Sequence, residues 1–425
     1  MAPDVNPPRG MRDFLPAEKA KRERLLSVIR SEYTSRGFDE IETPVVEDSA
    51  RLHSGLGGDN EKLAFGILKR GLGADDVARA AASDELTELT DLGLRFDLTV
   101  PLARFYASNR AKLPTVFKSI QIAPVWRAER PQKGRYRQFV QCDIDIIGEP
   151  GILAEVELIT ATAATLTVLG LAGCRIRINH RAILRHLVAS WQIAQKSTER
   201  ALITIDKEDK IGADGVVAEL VALELLAPER AEQARADLGE FADDGWNLTG
   251  DNAPAWLDAE AYAQLTEIRA AVHAVAPDVP LVFSHNLVRG MGYYTGAIFE
   301  IQHPEFGYSL GGGGRYDGMI GRFLGTDVPA AGFSIGFERI VDLIPDDDAG
   351  GREAVLLLHE RDVPAAQLIG LQGALVAAGR RVRLEKRTKN VKALLARAAE
   401  SGYRQVANVN TETTSVEQLE FRPLS

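Results

Sequence analysis

VWRAERPQKGRYRQFVQCDID, residues 125–145, is the stretch on which the reading of this chain turns. It sets Arg127, Arg130, Lys133, Arg135 and Arg137 close together in a 425-residue protein of formal net charge −10. Its flanks are apolar, VFKSIQIAPVW before and QFVQCDIDII after, and its middle is polar and glycine-bearing. That pattern predicts a hairpin of two apolar strands with a cationic tip. Arg127 and Glu129 are two apart, so strand geometry would put them on one face. A guanidinium there can grip a phosphate or carboxylate with two parallel bonds. Gln141, Asp143 and Asp145 alternate on the second strand as an acceptor-rich wall. Two readings fit the charges: an anion clamp that holds a polyphosphate and touches nucleic acid, or a solvated hairpin laced by cross-strand ion pairs.

The length allows two or three domains and a large core. A hydrophobic fraction of 45% with 26% charged residues is that of an ordinary soluble protein. A pI near 5.4 excludes nucleic-acid binding through overall charge but leaves room for local basic surfaces. Two cysteines, Cys142 and Cys174, argue against a disulfide framework and cannot build a cysteine-rich zinc site. The seven histidines show no metal-ligand spacing, so no metal site is expected, and His180 reads as structural. The first residues, MAPDVNPPRGMRDFLP, carry no apolar signal segment, and no window reaches a membrane span, so a cytoplasmic location is expected.

Residues 17–37 pattern as an amphipathic helix between Pro16 and Gly37. FDEIETPVVED follows as an alternating strand broken by Pro44, which fits an edge or a bend at a subunit contact. In RFDLTVP, Arg95, Asp97 and Thr99 alternate, which on a strand would aim Asp97 and Thr99 to one side. From about 181 to 262 the pattern is helical, an insertion between two parts of a sheet domain. Strand and glycine signals return in PLVFSHNLVRGMGYYTGAIFEIQ and YSLGGGGRYDGMIGRFLG. PDDDAGG marks a linker at 346–351, and the βαβα pattern of 352–425 predicts a small α/β domain.

Five segments in order carry a resemblance. GFDEIETPVVE, VWRAERPQKGRYRQF and AAGFSIGFERI resemble the three motifs of the class II aminoacyl-tRNA synthetases. LVRGMGYYTG at 287–296 and LGGGGRYDG at 310–318 resemble segments of the histidyl-tRNA synthetase family in particular. The resemblance implies an α/β and α+β multidomain protein. Residues 1–345 would be a class II catalytic domain, an antiparallel sheet flanked by helices, and 352–425 an anticodon-binding-like domain.

It also implies an activity, histidine–tRNA ligation. Histidine is activated by ATP to histidyl-adenylate and pyrophosphate, and the histidyl group then passes to the 3′ end of tRNA(His). ATP with Mg2+ would be the nucleotide, and the first motif implies a homodimer. By the same resemblance Arg127 holds the α-phosphate and the amino-acid carboxylate, Glu129 sits near the adenine, and Arg339 grips the γ-phosphate. Arg289 faces the α-phosphate from the opposite side, where a permanent planar charge suits the role. Asp97, Thr99 and Gln141 would take the α-amino group; Asp145 and Tyr294, with Tyr293, the imidazole. Arg130, Lys133, Arg135 and Arg137 would face the tRNA acceptor end. The terminal domain adds Arg380, Arg381, Arg383, Lys386, Arg387, Lys389, Lys392 and Arg397.

Three departures stand out: Gly292 where the family usually has aspartate, Ala128 where it has a bulkier residue, and an atypical end, ANVNTETTSVEQLEFRPLS. Two alternatives follow. One is a non-catalytic, synthetase-like regulatory subunit of ATP phosphoribosyltransferase in histidine biosynthesis. The other is an amino-acid-activating enzyme with an acceptor other than tRNA. Retention of Arg127, Arg289, Arg339 and the basic terminal domain favours the ligase.

Overall fold

A computed structural model describes residues 5–53, 63–83, 86–131, 134–171, 173–239, 244–289, 292–345 and 353–424, with the backbone alone for Leu86 and Thr87. The chain forms two compact units, Met1–Arg12 with Leu25–Ile344, and Asp13–Arg24 with Pro345–Ser425. The linker expected at 346–351 lies outside the described residues.

The first unit is built on an eight-stranded sheet. Its order is Asp39–Glu40, Phe117–Trp126, Gln138–Ile147, Ala330–Gly336, Gly311–Arg315, Ala297–Gln302, Arg175–His180 and Leu281–Phe283. The six central strands pair antiparallel, and the two outermost pairings are parallel. The predicted hairpin is its longest pairing, in register from Phe117↔Ile147 to Trp126↔Gln138. Strand alternation divides Gln138–Ile147 into two faces. Cys142, Ile144 and Ile146 enter the hydrophobic core, whereas Gln141, Asp143 and Asp145 line a cleft. The neighbouring strand repeats the division: Ala331 and Ile335 are in the core, while Gly332, Ser334 and Gly336 line the cleft.

The segment from 181 contributes helices Arg181–Ser190, Thr198–Ile205, Glu208–Ala222 and Ala231–Asp237 between two strands of the sheet, followed by Ala259–Val275. Leu184, Leu187, Trp191, Leu202 and Leu220 join these helices to the main core. His180 is structural at its root, its Nδ1 accepting from the Ala182 backbone N–H at 3.1 Å.

Two local expectations are corrected. The strand before Asp97 ends at Leu94, and Thr99 opens the helix Thr99–Asn109, so strand alternation does not orient that pair. The Asp97 carboxylate instead accepts the Val100 backbone N–H at 3.2 Å, satisfying a free donor of the helix start. Likewise Phe117–Trp126 ends before Arg127, so Arg127 and Glu129 do not share a strand face.

A buried ion pair ties the glycine strand to the helix Leu153–Val168. Arg315 donates through Nε and Nη2 to Glu155 at 2.6 and 2.7 Å, and Glu155 is 0% exposed. Removing one partner leaves the other charge buried and unpaired, at a cost of about 3–5 kcal/mol. Arg315→Met is therefore expected to lower stability to urea by about that amount, with much of the loss recovered in Arg315→Met/Glu155→Leu. Equal midpoints for wild type and single variant would refute this.

In the second unit Arg381–Lys386, Ala354–His359 and Gln405–Val409 pair in parallel, and Arg422–Pro423 adds an antiparallel edge. The run AVLLLH is apolar at nearly every position because both faces are covered. Val355 and Leu357 pack with Leu368, Leu371 and Leu375 of Ala365–Ala377, while Leu356 and Leu358 pack with Leu394 and Ala398 of Val391–Glu400. This unit has the α/β alternation that the sequence predicts.

Candidate active site

A cleft of about 490 Å3 lies against the central strands of the first unit. Arg127, Glu129, Arg135 and Arg339 line it, together with Asp97, Thr99, Gln141, Asp145, Arg289, Tyr293 and Tyr294. Two other cationic candidates are placed elsewhere. Arg130 is exposed outside the cleft, and Arg137 is turned inward, donating to the Glu129 carbonyl at 2.9 Å. Lys133 lies outside the described residues.

The cationic residues are held by backbone carbonyls. Arg127 continues the hairpin through its N–H to the Arg137 carbonyl (2.8 Å), and its Nε donates to Phe96 O at 3.0 Å. Arg339 donates to the Ser309 and Gly134 carbonyls and lies over the Tyr308 ring. Burial and the neighbouring Arg135 hold its guanidinium below its ordinary pKa. Glu129 pairs with Arg135 at 2.9 Å. Arg12 takes part as well: it stacks on Tyr136 and pairs at 2.6 Å with the buried Glu338, which precedes Arg339.

The acidic wall is buried. Asp97, Asp143 and Asp145 are 2%, 5% and 4% exposed. Loss of hydration pushes Asp97 up to about 6 and Asp145 up to about 7, and it raises Asp143 well above the usual carboxylate range, with Asp145 adding like charge. Tyr316 donates to Asp145 Oδ1 at 2.6 Å, and burial holds its hydroxyl in the protonated, donating form. Gln141 donates to Asp143 at 3.2 Å and to Ser334 at 3.3 Å. The buried polar atoms of cleft residues without a hydrogen-bond partner among the described residues include Asp97 Oδ2, Gln141 Oε1 and Arg289 Nε. Buried polar groups are ordinarily paired, so two acceptors and a donor left open at one cavity describe the chemistry of a ligand. That ligand carries a cationic or hydrogen-bond-donating part and an anionic part.

These carboxylates link pH to stability. Their folded pKa values lie above the unfolded value, so the folded state binds more protons over that window. The stability this contributes is full below about pH 4 and is lost as pH rises through about 6 and 7. Buried His180 and His285, held down to about 4, act in the opposite sense over part of this range, so the carboxylate contribution is read as a difference between proteins. Between pH 5 and 7.5 the ligand-free thermal midpoint of Asp145→Asn is expected to gain on wild type by on the order of a few °C. An unchanged difference across this range would contradict the raised pKa of Asp145.

Sequence reasoning missed several residues. Tyr316, Glu300 and the triplet Gly332, Ser334, Gly336 all line the cleft, while Asp143, read from the sequence as part of the acceptor-rich wall, lines it as expected. The triplet had a signal, small residues at every second position of AAGFSIG. Gly311–Arg315 is a strand of the sheet, and it lines the cleft through Gly311, Gly312 and Gly313.

With this geometry in view, known proteins match closely. The sequence pattern described as histidyl-tRNA synthetase matches residues 10–340. The histidine–tRNA ligase of Leifsonia xyli subsp. xyli is 58% identical over 100% of both chains. The chain belongs to the histidyl-tRNA synthetase family. A probable histidine–tRNA ligase of Tropheryma whipplei is 40% identical over 94% of each chain. Among solved structures, a histidyl-tRNA synthetase from a Nostoc species superposes with a TM-score of 0.76 at 24% identity, covering 99% of this chain and 95% of that one. A Bacillus halodurans protein described as an ATP phosphoribosyltransferase regulatory subunit/histidyl-tRNA synthetase gives 0.74 at 22%, over 96% and 98%. At those identities the likeness is one of fold, and it agrees with the class II sheet expected from the motifs.

Proposed function

We propose that the chain is a histidine–tRNA ligase whose active site is this cleft. The observation that carries the reading is the meeting of a buried acidic wall with two open acceptors and a set of cleft arginines. Asp97 and Gln141 take the ammonium of histidine, aided by Thr99, and Asp145, oriented by Tyr316, takes one imidazole nitrogen. Tyr294, backed by Tyr293 at a ring distance of 4.8 Å, faces the other. Such a pocket rejects amino acids that leave its buried polar groups unpaired.

ATP, carrying Mg2+ on its phosphates, lies toward Arg127, Glu129 and Arg339. A carboxylate oxygen of histidine attacks the α-phosphorus in line, and the bond to the β-phosphate oxygen breaks, releasing pyrophosphate. Negative charge grows on the phosphoryl oxygens, and Arg127 and Arg289 are placed to meet it. The terminal ribose hydroxyl of tRNA then attacks the histidyl carbonyl, and AMP leaves. Arg130 and Arg135 serve the acceptor end. In the second unit Arg381 and Arg383 sit over Tyr403 and offer charge to the anticodon region.

Residues 1–345 would thus carry the chemistry, with the helical insertion at about 181–262, and 352–425 the anticodon contacts. Both cysteines are free thiols, and no helix among the described residues is long and apolar enough to cross a membrane. We place the activity in the cytoplasm, with a homodimer as the working unit. Histidine-dependent ATP–pyrophosphate exchange and charging of tRNA(His) test the reading. Folded protein that binds histidine without exchange would favour the regulatory-subunit reading; exchange without charging would favour another acceptor. Sedimentation of an active monomer would contradict the dimer.

A further inference from the structure

Arg289 lines the cleft, and three features bear on where its guanidinium lies. The first is Glu300, on the strand Ala297–Gln302, whose Oε2 accepts from Arg289 Nη1 at 2.9 Å. The second is Gly312, which stands opposite Glu300 in the sheet register; a Cβ there would come within 2.6 Å of Arg289 Nη1. Arg289 therefore occupies a slot that only a glycine leaves open, alongside the carboxylate that neutralises it. The third is Arg177, opposite Glu300 on the other side.

Arg177 is 7% exposed and makes more than one connection. It shares Glu300 at 3.4 Å, and it donates to Ser284 Oγ and Asn286 Oδ1, both at 3.0 Å, on the segment that leads to Arg289. Its fourth partner is Asp209, at 3.2 Å, in the first turn of the helix Glu208–Ala222. One guanidinium thus binds the carboxylate that holds Arg289, the segment that leads to Arg289 and the helical segment beside the cleft.

We propose that Glu300 is the positioning residue for Arg289 and that Arg177 couples this position to the helical segment at Asp209. This rests on the ligase reading, because the consequence of placing Arg289 is stabilisation of charge at the α-phosphate. A group misplaced by about 1 Å can cost about a hundredfold in rate, so an effect on turnover rather than on amino-acid binding is expected.

The experiment is histidine-dependent ATP–pyrophosphate exchange, with histidine affinity measured separately by calorimetry. Glu300→Gln, which keeps the shape and removes the charge, is expected to lower kcat at least about tenfold and leave the histidine Kd within about threefold. Arg177→Met should lower kcat less, and the double variant should be no slower than the slower single variant, because both act through one carboxylate. Asp209 is largely exposed, so Asp209→Asn leaves the fold intact and should slow exchange a few-fold only when Arg177 is present. A merely structural ion pair would lower the melting temperature without this split between kcat and affinity. Normal kcat in Glu300→Gln, or a loss confined to histidine affinity, overturns the positioning role. Additive losses in the double variant, or no effect of Asp209→Asn, overturn the coupling. If the wild-type protein itself gives no exchange, the ligase reading fails and this inference falls with it; if the wild type is active and Glu300→Gln is too, only the inference fails.

Discussion

Arg289→Ala is expected to reduce histidine-dependent ATP–pyrophosphate exchange by about a thousandfold or more while histidine still binds within a few-fold. Removing a single preorganised donor to developing charge commonly costs about 10²–10³ in rate. Arg289 exceeds a single donor: it brings a full positive charge, and its Nε is buried without a hydrogen-bond partner among the described residues. That open donor is available to an anion. The fold should survive the change, because Glu300 keeps Arg177 as a partner at 3.4 Å. Arg289→Lys should recover little, since a point charge on a flexible stem does not reproduce the fork beside Glu300 and Gly312. Near-normal turnover in Arg289→Ala, measured at saturating ATP and histidine, would remove Arg289 from the chemistry.

The position of Arg289 also shows where sequence reading succeeds and where it stops. Its motif stands out as an arginine among glycines and tyrosines, yet its carboxylate partner does not. The observed partner is Glu300, eleven residues on and on a different element. Glu300 meets Arg289 only because the strands align Glu300 with Gly312 and Arg177, and register between distant strands is not written in local pattern. The hairpin was legible because its two strands are local, apolar and joined by a short polar tip. Gln141 and Asp145 were legible for the same reason, as period-2 positions on a strand.

Asp97 and Thr99 were placed at the cleft on a mistaken geometry. The polar alternation of RFDLTVP continues past Leu94, but the chain has already turned toward a helix. Pro101, at the third position of that helix, was the sign available, since proline is tolerated in the first turn where the N–H has no partner. Arg127 and Glu129 show the same limit: the alternation runs past the end of the strand, and only the backbone bond from Arg127 to Arg137 shows how the hairpin closes.

Gly332→Ala is expected to weaken histidine binding by about a hundredfold, roughly 2.7 kcal/mol, with a smaller loss of stability of about 1–2 kcal/mol. Gly332 stands opposite Asp145 in the register of the two strands. A Cβ at this position would lie 2.0 Å from Asp145 Oδ1, 3.0 Å from its Cγ and 3.2 Å from Tyr316 Cε1. No contact of 2.0 Å is tolerable, so the carboxylate must move. It is short and buried, and Oδ1 is the atom that Tyr316 holds at 2.6 Å. Any escape therefore breaks that bond, turns the acceptor away from the imidazole, or pushes it into the volume the imidazole needs. The backbone gains from the change in the unfolded state, because alanine has fewer conformations to lose than glycine. This partly offsets the displaced carboxylate and separates recognition from folding. Calorimetry should show the weakened affinity in Gly332→Ala and a similar loss in Asp145→Asn. The double variant should fall well short of the sum, because both changes act on one carboxylate. If Gly332→Ala binds histidine as wild type does, Asp145 is not the group that recognises the side chain, and the acidic wall must serve the ammonium alone.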